Sequence, residues 1–210
     1  LAYPMRRSVV RPRLPPLIRS AGGIAGGITV PGLAEDEFMI IGSGMAERYH
    51  QRFWKMVPMP EAVRFESQTE ALCGFNVAGP KSRELLQRLT NEPLATGDFP
   101  FMRSKRIELA GVDCLALRVS FTGDLGWELH CKTEDQLRLY EALLDCAKDF
   151  DAGPVGARAL MSLRVDKGYG PWSREYRPAH WLQAAGPDRF YNRATSPATH
   201  HDARDLQRTP

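Results

Sequence analysis

The sequence predicts an α+β domain, a ferredoxin-like, antiparallel-rich sheet with helices on one face. Three observations carry that expectation. Residues 112–121 alternate strictly, with Cys114, Ala116, Arg118 and Ser120 on one side and Leu115, Leu117, Val119 and Phe121 on the other, which is strand periodicity. Thr122, Gly123 and Asp124 then supply turn chemistry, Gly126 allows a second backbone deviation, and Trp127-Glu128-Leu129 resume an extended run. Finally, the order from 61 to 168 reads strand, helix, hairpin strands, helix, helix, which makes an antiparallel sheet with helical cover.

The elements follow in chain order. Residues 1–20 interleave Arg6, Arg7, Arg11, Arg13 and Arg19 with Pro4, Pro12, Pro15 and Pro16, so neither helix nor central strand fits, and the segment reads as irregular. Gly22-Gly23-Ile24-Ala25-Gly26-Gly27 precede Ile28-Thr29-Val30. With no preceding strand and no Lys-Ser/Thr after it, this is a turn into a strand rather than a phosphate loop. A strand is expected at 38–41 and a helix at 45–56, with Met45, Tyr49, Phe53 and Met56 at helical spacing. Arg64 to Gln68 reads as a short edge strand and Ala71 to Val77 as another.

Pro80 opens a helix carrying Leu85, Leu86 and Leu89. Met102 to Leu109, an Ala110-Gly111 turn and Val112 onward make a hairpin. Thr133 and Gln136 have capping-box spacing ahead of a helix with Leu137, Tyr140, Leu143, Leu144 and Ala147. Gly153-Pro154 open a last helix, running to Gly168. From 179 to 210 apolar periodicity fades, and an irregular tail is expected. His200-His201-Asp202 on it are too few and too polar in setting to make a metal site, and none is expected.

Composition limits the function. The 210 residues suffice for a real core, and 28 basic against 25 acidic residues leave a net charge of +3. Without a reader motif, that balance gives no nucleic-acid surface. No apolar run is long enough to cross a membrane. Cysteines 73, 114, 131 and 146 have no metal spacing and read as reduced, mostly buried thiols, which suits a cytoplasmic protein. The first residue is Leu1, as in a processed or partial piece, and no signal peptide is recognisable.

The hairpin also carries the chemistry. It brings an aromatic ring and a carboxylate, Trp127 and Glu128, close to the turn. That pair suits a flat heterocycle with an amidine-like edge, such as a pterin, whose ring N–H and amino group donate in parallel to a carboxylate.

Three blocks together resemble a known family: SFTGDLGWEL at 120–129, GPVGARALMSLRVDKG at 153–168 and YGPWSREYRP at 169–178. The chain is similar to folate-binding, aminomethyltransferase-like proteins, which include the T-protein of the glycine cleavage system. KGYGPW and REYRP are closer to the folate modules of FAD-dependent dimethylglycine and sarcosine dehydrogenases. The likeness spans about residues 21–190, with a folate domain expected at 21–178.

The resemblance implies tetrahydrofolate binding and one-carbon transfer coupled to oxidative demethylation of N-methylated glycines. It assigns the pterin-binding carboxylate to Glu128, with Trp127 beside it, and a pocket aromatic to Tyr169. Arg158 and Arg164 are candidates for the folate tail, because Leu160 stands where the T-protein branch has an arginine. Gly27 stands where the family's catalytic aspartate is expected, so no catalytic residue is assigned. FAD is expected only on a separate domain or partner, such as a flavin-dependent oxidoreductase, because no dinucleotide fingerprint is present. The alternatives are a non-catalytic remnant or interaction domain of the same fold, and a T-protein-like aminomethyltransferase.

Overall fold

The computed structural model describes residues 12, 16–18, 24–56 and 58–168. They fall into two compact units, one drawn from residues 13–63 and one from 64–169.

In the first unit, β1 (Pro16–Ile18) pairs antiparallel with β2 (Ile24–Gly27). The expected strand at 38–41 is reduced to two bridges, Thr29 with Ile41 and Gly32 with Phe38. A 3₁₀ turn at Gly44–Ala46 leads into α1 (Glu47–Met56). Met45 and Met56 are exposed, contrary to the expected apolar stripe, and the buried residue of α1 is His50. Phe53 and Trp54 pack against Leu17, Ala25, Ile28 and Val30. His50 fits because Gly26 and Gly42 lack side chains: a Cβ on Gly26 would lie 2.9 Å from the ring's Cδ2, and one on Gly42 3.4 Å from Nδ1.

The second unit is the expected α+β layer: a four-stranded antiparallel sheet with helices against it. Its strands are β3 (Leu72–Ala78), β4 (Ser104–Leu109), β5 (Val112–Leu117) and β6 (Gly126–Lys132), in spatial order β3-β6-β5-β4. The helices are α2 (Ser82–Gln87), α3 (Gln136–Ala147) and α4 (Ala157–Leu163). One sheet face meets α2 and α3 through Ile107, Leu109, Val112, Cys114, Ala116, Trp127, Leu129 and Cys131. On α3 the buried stripe is Leu139, Leu143 and Ala147, spaced by four residues. Leu137, expected on that stripe, is 65% exposed: it lies two residues from both Leu139 and Asp135, off the i, i+4 row that is buried.

The hairpin between β4 and β5 turns on Ala110 and Gly111, both at positive φ, as a two-residue primed turn requires. Other local expectations are corrected. Arg64–Gln68 is exposed and forms no strand; its side chains bond one another, Arg64 and Gln68 both donating to Glu66. The Thr133 hydroxyl donates to the Glu70 carbonyl at 3.0 Å rather than capping α3, which starts after a 3₁₀ turn at Thr133–Asp135. The last helix begins at Ala157, not at Pro154.

The turn expected at Thr122–Asp124 is part of a wider connection. β5 stops at Leu117: the Arg118 N–H still pairs with the Arg103 carbonyl at 2.8 Å, but the Val119 N–H turns back to Leu117 O at 3.0 Å. Residues 118–125 then form a pinned loop. Gly123 N–H donates to Ser120 Oγ at 2.9 Å. The Leu125 carbonyl accepts from Gly79 N–H at 2.8 Å and from Ser82 Oγ at 3.0 Å.

Candidate functional site

Strand alternation places Trp127 and Glu128 on opposite faces of β6. Trp127, opposite Val77, faces the helices and is 0% exposed, edge-to-face with Phe99 at 6.2 Å. The expected stacking surface is therefore corrected to a core residue: its ring is not open to a ligand.

Glu128 points to the other face. Its register partners are Asn76 on β3 and Leu117 on β5. Two residues on, His130 shares that face, between Gly74 and Leu115. Gly74 gives the imidazole its place, since a Cβ there would lie 3.2 Å from Nδ1. The His130 Nε2 to Glu128 Oε2 distance is 3.8 Å, too long for a hydrogen bond, and the side chains are 14% and 28% exposed. Asn76 is exposed beside them.

Lys167, past the end of α4, completes this cluster. Its ammonium donates to the Ser120 carbonyl, and its stem lies over Gly123, where a Cβ would come within 3.3 Å. Gly123 also has φ +98, a conformation that favours glycine. Burial holds the Lys167 ammonium below the ordinary lysine range, and the Glu128 carboxylate pulls it back up. The lysine is thus tied to the loop, with the Glu128 charge acting on its ammonium. A partly exposed carboxylate can accept two parallel N–H donors.

The other expected residues are placed as follows. Arg158 lies exposed on α4, a helix that buries none of its residues. Arg164 caps the C-terminal end of that helix and is half-buried. Tyr169 lies outside the described residues, as do most of 1–20 and all of 179–210. Gly27 is the exposed last residue of β2, opposite Pro16. His130, Asn76 and Lys167 were not singled out in the sequence. Strand period two from Glu128 points to His130; nothing local points to Lys167, which arrives by tertiary folding.

Among the described residues no group of His, Cys, Asp and Glu is arranged to hold a metal. All four cysteines are free thiols. Cys73 and Cys131 face each other across β3 and β6 with Sγ atoms 3.4 Å apart, and burial pushes the Cys114 and Cys131 thiols up to about 12.

Residues 4–194 match the GCVT N-terminal domain. The chain belongs to that family. It is 30% identical over 162 residues to the mitochondrial dimethylglycine dehydrogenase of Homo sapiens, covering 76% of this chain and 19% of that protein. It is 33% identical over 113 residues to an aminomethyltransferase of Caldanaerobacter subterraneus, covering 54% of this chain and 30% of the relative. The glycine cleavage system aminomethyltransferase T of Bartonella henselae has the same fold, with TM-score 0.67 and 21% identity, over 84% of this chain and 46% of that one. The chain thus spans about a fifth of the length of the dehydrogenases it matches. No helix among its described residues is long and apolar enough to cross a membrane.

Proposed function

We propose that this GCVT-family chain is a tetrahydrofolate-binding module of a one-carbon transfer system that acts with oxidative demethylation of N-methylated glycines. The observation that carries the reading is Glu128: a carboxylate on β6, on the sheet face opposite Trp127, partly open, its charge acting on Lys167, which is tied to the pinned loop. A pterin edge presents the two parallel donors such a carboxylate accepts. Bound tetrahydrofolate supplies the nitrogens that take up the one-carbon unit. Glu128 orients the ring, Lys167 adds a positive charge near it, and Asn76 and His130 offer polar contacts on the same face. Arg158 and Arg164 are the cations available for the anionic tail, and Tyr169 is the candidate pocket aromatic. FAD belongs to a separate domain or partner, and a flavin-dependent oxidoreductase is the partner this reading calls for.

Gly27 favours a second reading, a non-catalytic remnant or interaction domain of the same fold. Glycine offers no proton acceptor, so a pocket that lacks its aspartate binds folate better than it turns it over.

The test is a calorimetric titration of the full chain with 5-formyltetrahydrofolate. Saturable binding that weakens about tenfold to a hundredfold in Glu128→Gln supports the first reading, since a charge-assisted hydrogen bond contributes about 1.5–3 kcal/mol. Equal affinity in the variant removes Glu128 from the site. A folded chain that binds nothing leaves the interaction-domain reading.

A further inference from the structure

On the helix side of the same sheet, at its loop end, lies a cleft of about 300 Å³ lined by Phe101, Arg118, Val119, Ser120 and residues 123–126. Arg118 is only 9% exposed, although it carries a full charge. Its Nη1 donates to the Phe99 carbonyl at 2.7 Å, yet its Nε is buried with no acceptor. Arg83, on α2, repeats the pattern: Nη2 reaches Thr96 Oγ1 at 3.0 Å, and Nε is buried without a partner. Both guanidinium carbons lie within 6 Å of the Trp127 ring centre, at 5.7 and 5.9 Å, and the indole N–H also lacks an acceptor. Burial and the Arg83 charge both weaken the hold of Arg118 on its proton. A buried cation and a half-buried one beside one ring, each with a buried Nε lacking an acceptor and neither in an ion pair among the described residues, are costly to keep. Each orphaned donor in a folded protein calls for an acceptor.

We propose that this cleft is an oxyanion-binding site, in which Arg118 takes a carboxylate or phosphate oxygen pair and Arg83 adds the second positive charge. The polarity of the cleft suits that ligand class. Its cation is the buried part, while its one lining carboxylate, Asp124, is exposed and already accepts from Thr122 Oγ1 at 2.9 Å. Ser120 Oγ accepts from Gly123 N–H, which leaves its own hydroxyl proton to donate. A guanidinium fork matches two oxygens of one anion where a point charge does not. The site is separate from Glu128, which lies on the other sheet face.

The experiment titrates the full chain with sodium acetate and with sodium phosphate at constant ionic strength, set with sodium chloride, and reads binding by calorimetry and the rise in Tm. The expected result is saturable binding of one anion per chain, with the stronger of the two titrants telling a carboxylate ligand from a phosphate. Arg118→Gln abolishes it. Arg118→Lys keeps the charge but not the fork, and weakens it about tenfold. Arg83→Gln weakens it, while Arg106→Gln, at an exposed arginine paired with Asp113, leaves it unchanged. Because Arg118 also holds the Phe99 carbonyl, Arg118→Lys and Arg83→Gln decide the matter if Arg118→Gln fails to fold. Glu128→Gln retains anion binding, which keeps this result apart from the folate reading. No saturation beyond chloride, or equal binding in Arg118→Lys and Arg83→Gln, overturns the proposal.

Discussion

Replacing Trp127 separates packing from ligand contact. The indole is fully buried against Phe99 and between strands of the central sheet, so its first role is to fill the core. Trp127→Ala removes the largest fully buried side chain and is expected to cost about 3–5 kcal/mol, as aromatic-to-alanine truncations in cores do. Trp127→Phe is the informative variant. It loses part of the ring burial, about 2 kcal/mol at 25 cal/mol per Å² of apolar surface. It also deletes an N–H that is buried without an acceptor, which returns about 1 kcal/mol or more. The net loss is expected within about 1.5 kcal/mol. Urea unfolding followed by circular dichroism gives the stability change, and calorimetric titration with 5-formyltetrahydrofolate gives affinity on the folded variant. Affinity should stay within about threefold of the parent, a difference under 1 kcal/mol. A drop of an order of magnitude or more, at nearly unchanged stability, would falsify the assignment of Trp127 to the core and restore it to the ligand surface.

Other outcomes follow from the first unit. Gly26→Ala places a methyl group under 3 Å from the His50 ring and should destabilise that unit by about 1–3 kcal/mol; His50→Ala in the same chain should recover part of the loss, and purely additive effects in a double-mutant cycle would refute the clash. Burial lowers the His50 pKa below 6.5, so the unfolded chain takes up this proton at higher pH than the folded one. Stability contributed by neutral His50 is therefore present above pH 6.5 and lost as pH falls from there toward the folded-state value; a His50→Phe variant with the same acid slope would contradict this. On the proposed folate reading, Gly27→Asp places a carboxylate where the family resemblance expects one and should raise formation of 5,10-methylenetetrahydrofolate from formaldehyde and tetrahydrofolate by about 10²–10⁴-fold over the parent. An unchanged rate with folate bound would show that more than this one group is absent.

Much of the second unit was legible because its signals are local. Period-two alternation marked β5 and β6, the Ala110-Gly111 pair marked the primed turn, and helical spacing marked α2 and α3. The family was legible too, since SFTGDLGWEL and SLRVDKG are contiguous in the chain, and Glu128 was named from them. What the chain alone did not determine depends on partners remote in sequence. Burial on both sides of β5 hid where the strand ends; the turn of the Val119 N–H back to the Leu117 carbonyl decided it. Alternation puts Trp127 and Glu128 on opposite faces, but only the packing of α2 and α3 shows which face is dry. Lys167 reaches the Ser120 carbonyl because α4 ends over the loop at Gly123, a contact between residues 47 apart in the chain that no local pattern encodes. The orphaned donors of Arg83 and Arg118 are likewise invisible in sequence, where each reads as an ordinary charge. Their meeting around one indole is a property of the folded core alone, because only burial turns an unpaired guanidinium into a demand for an anion.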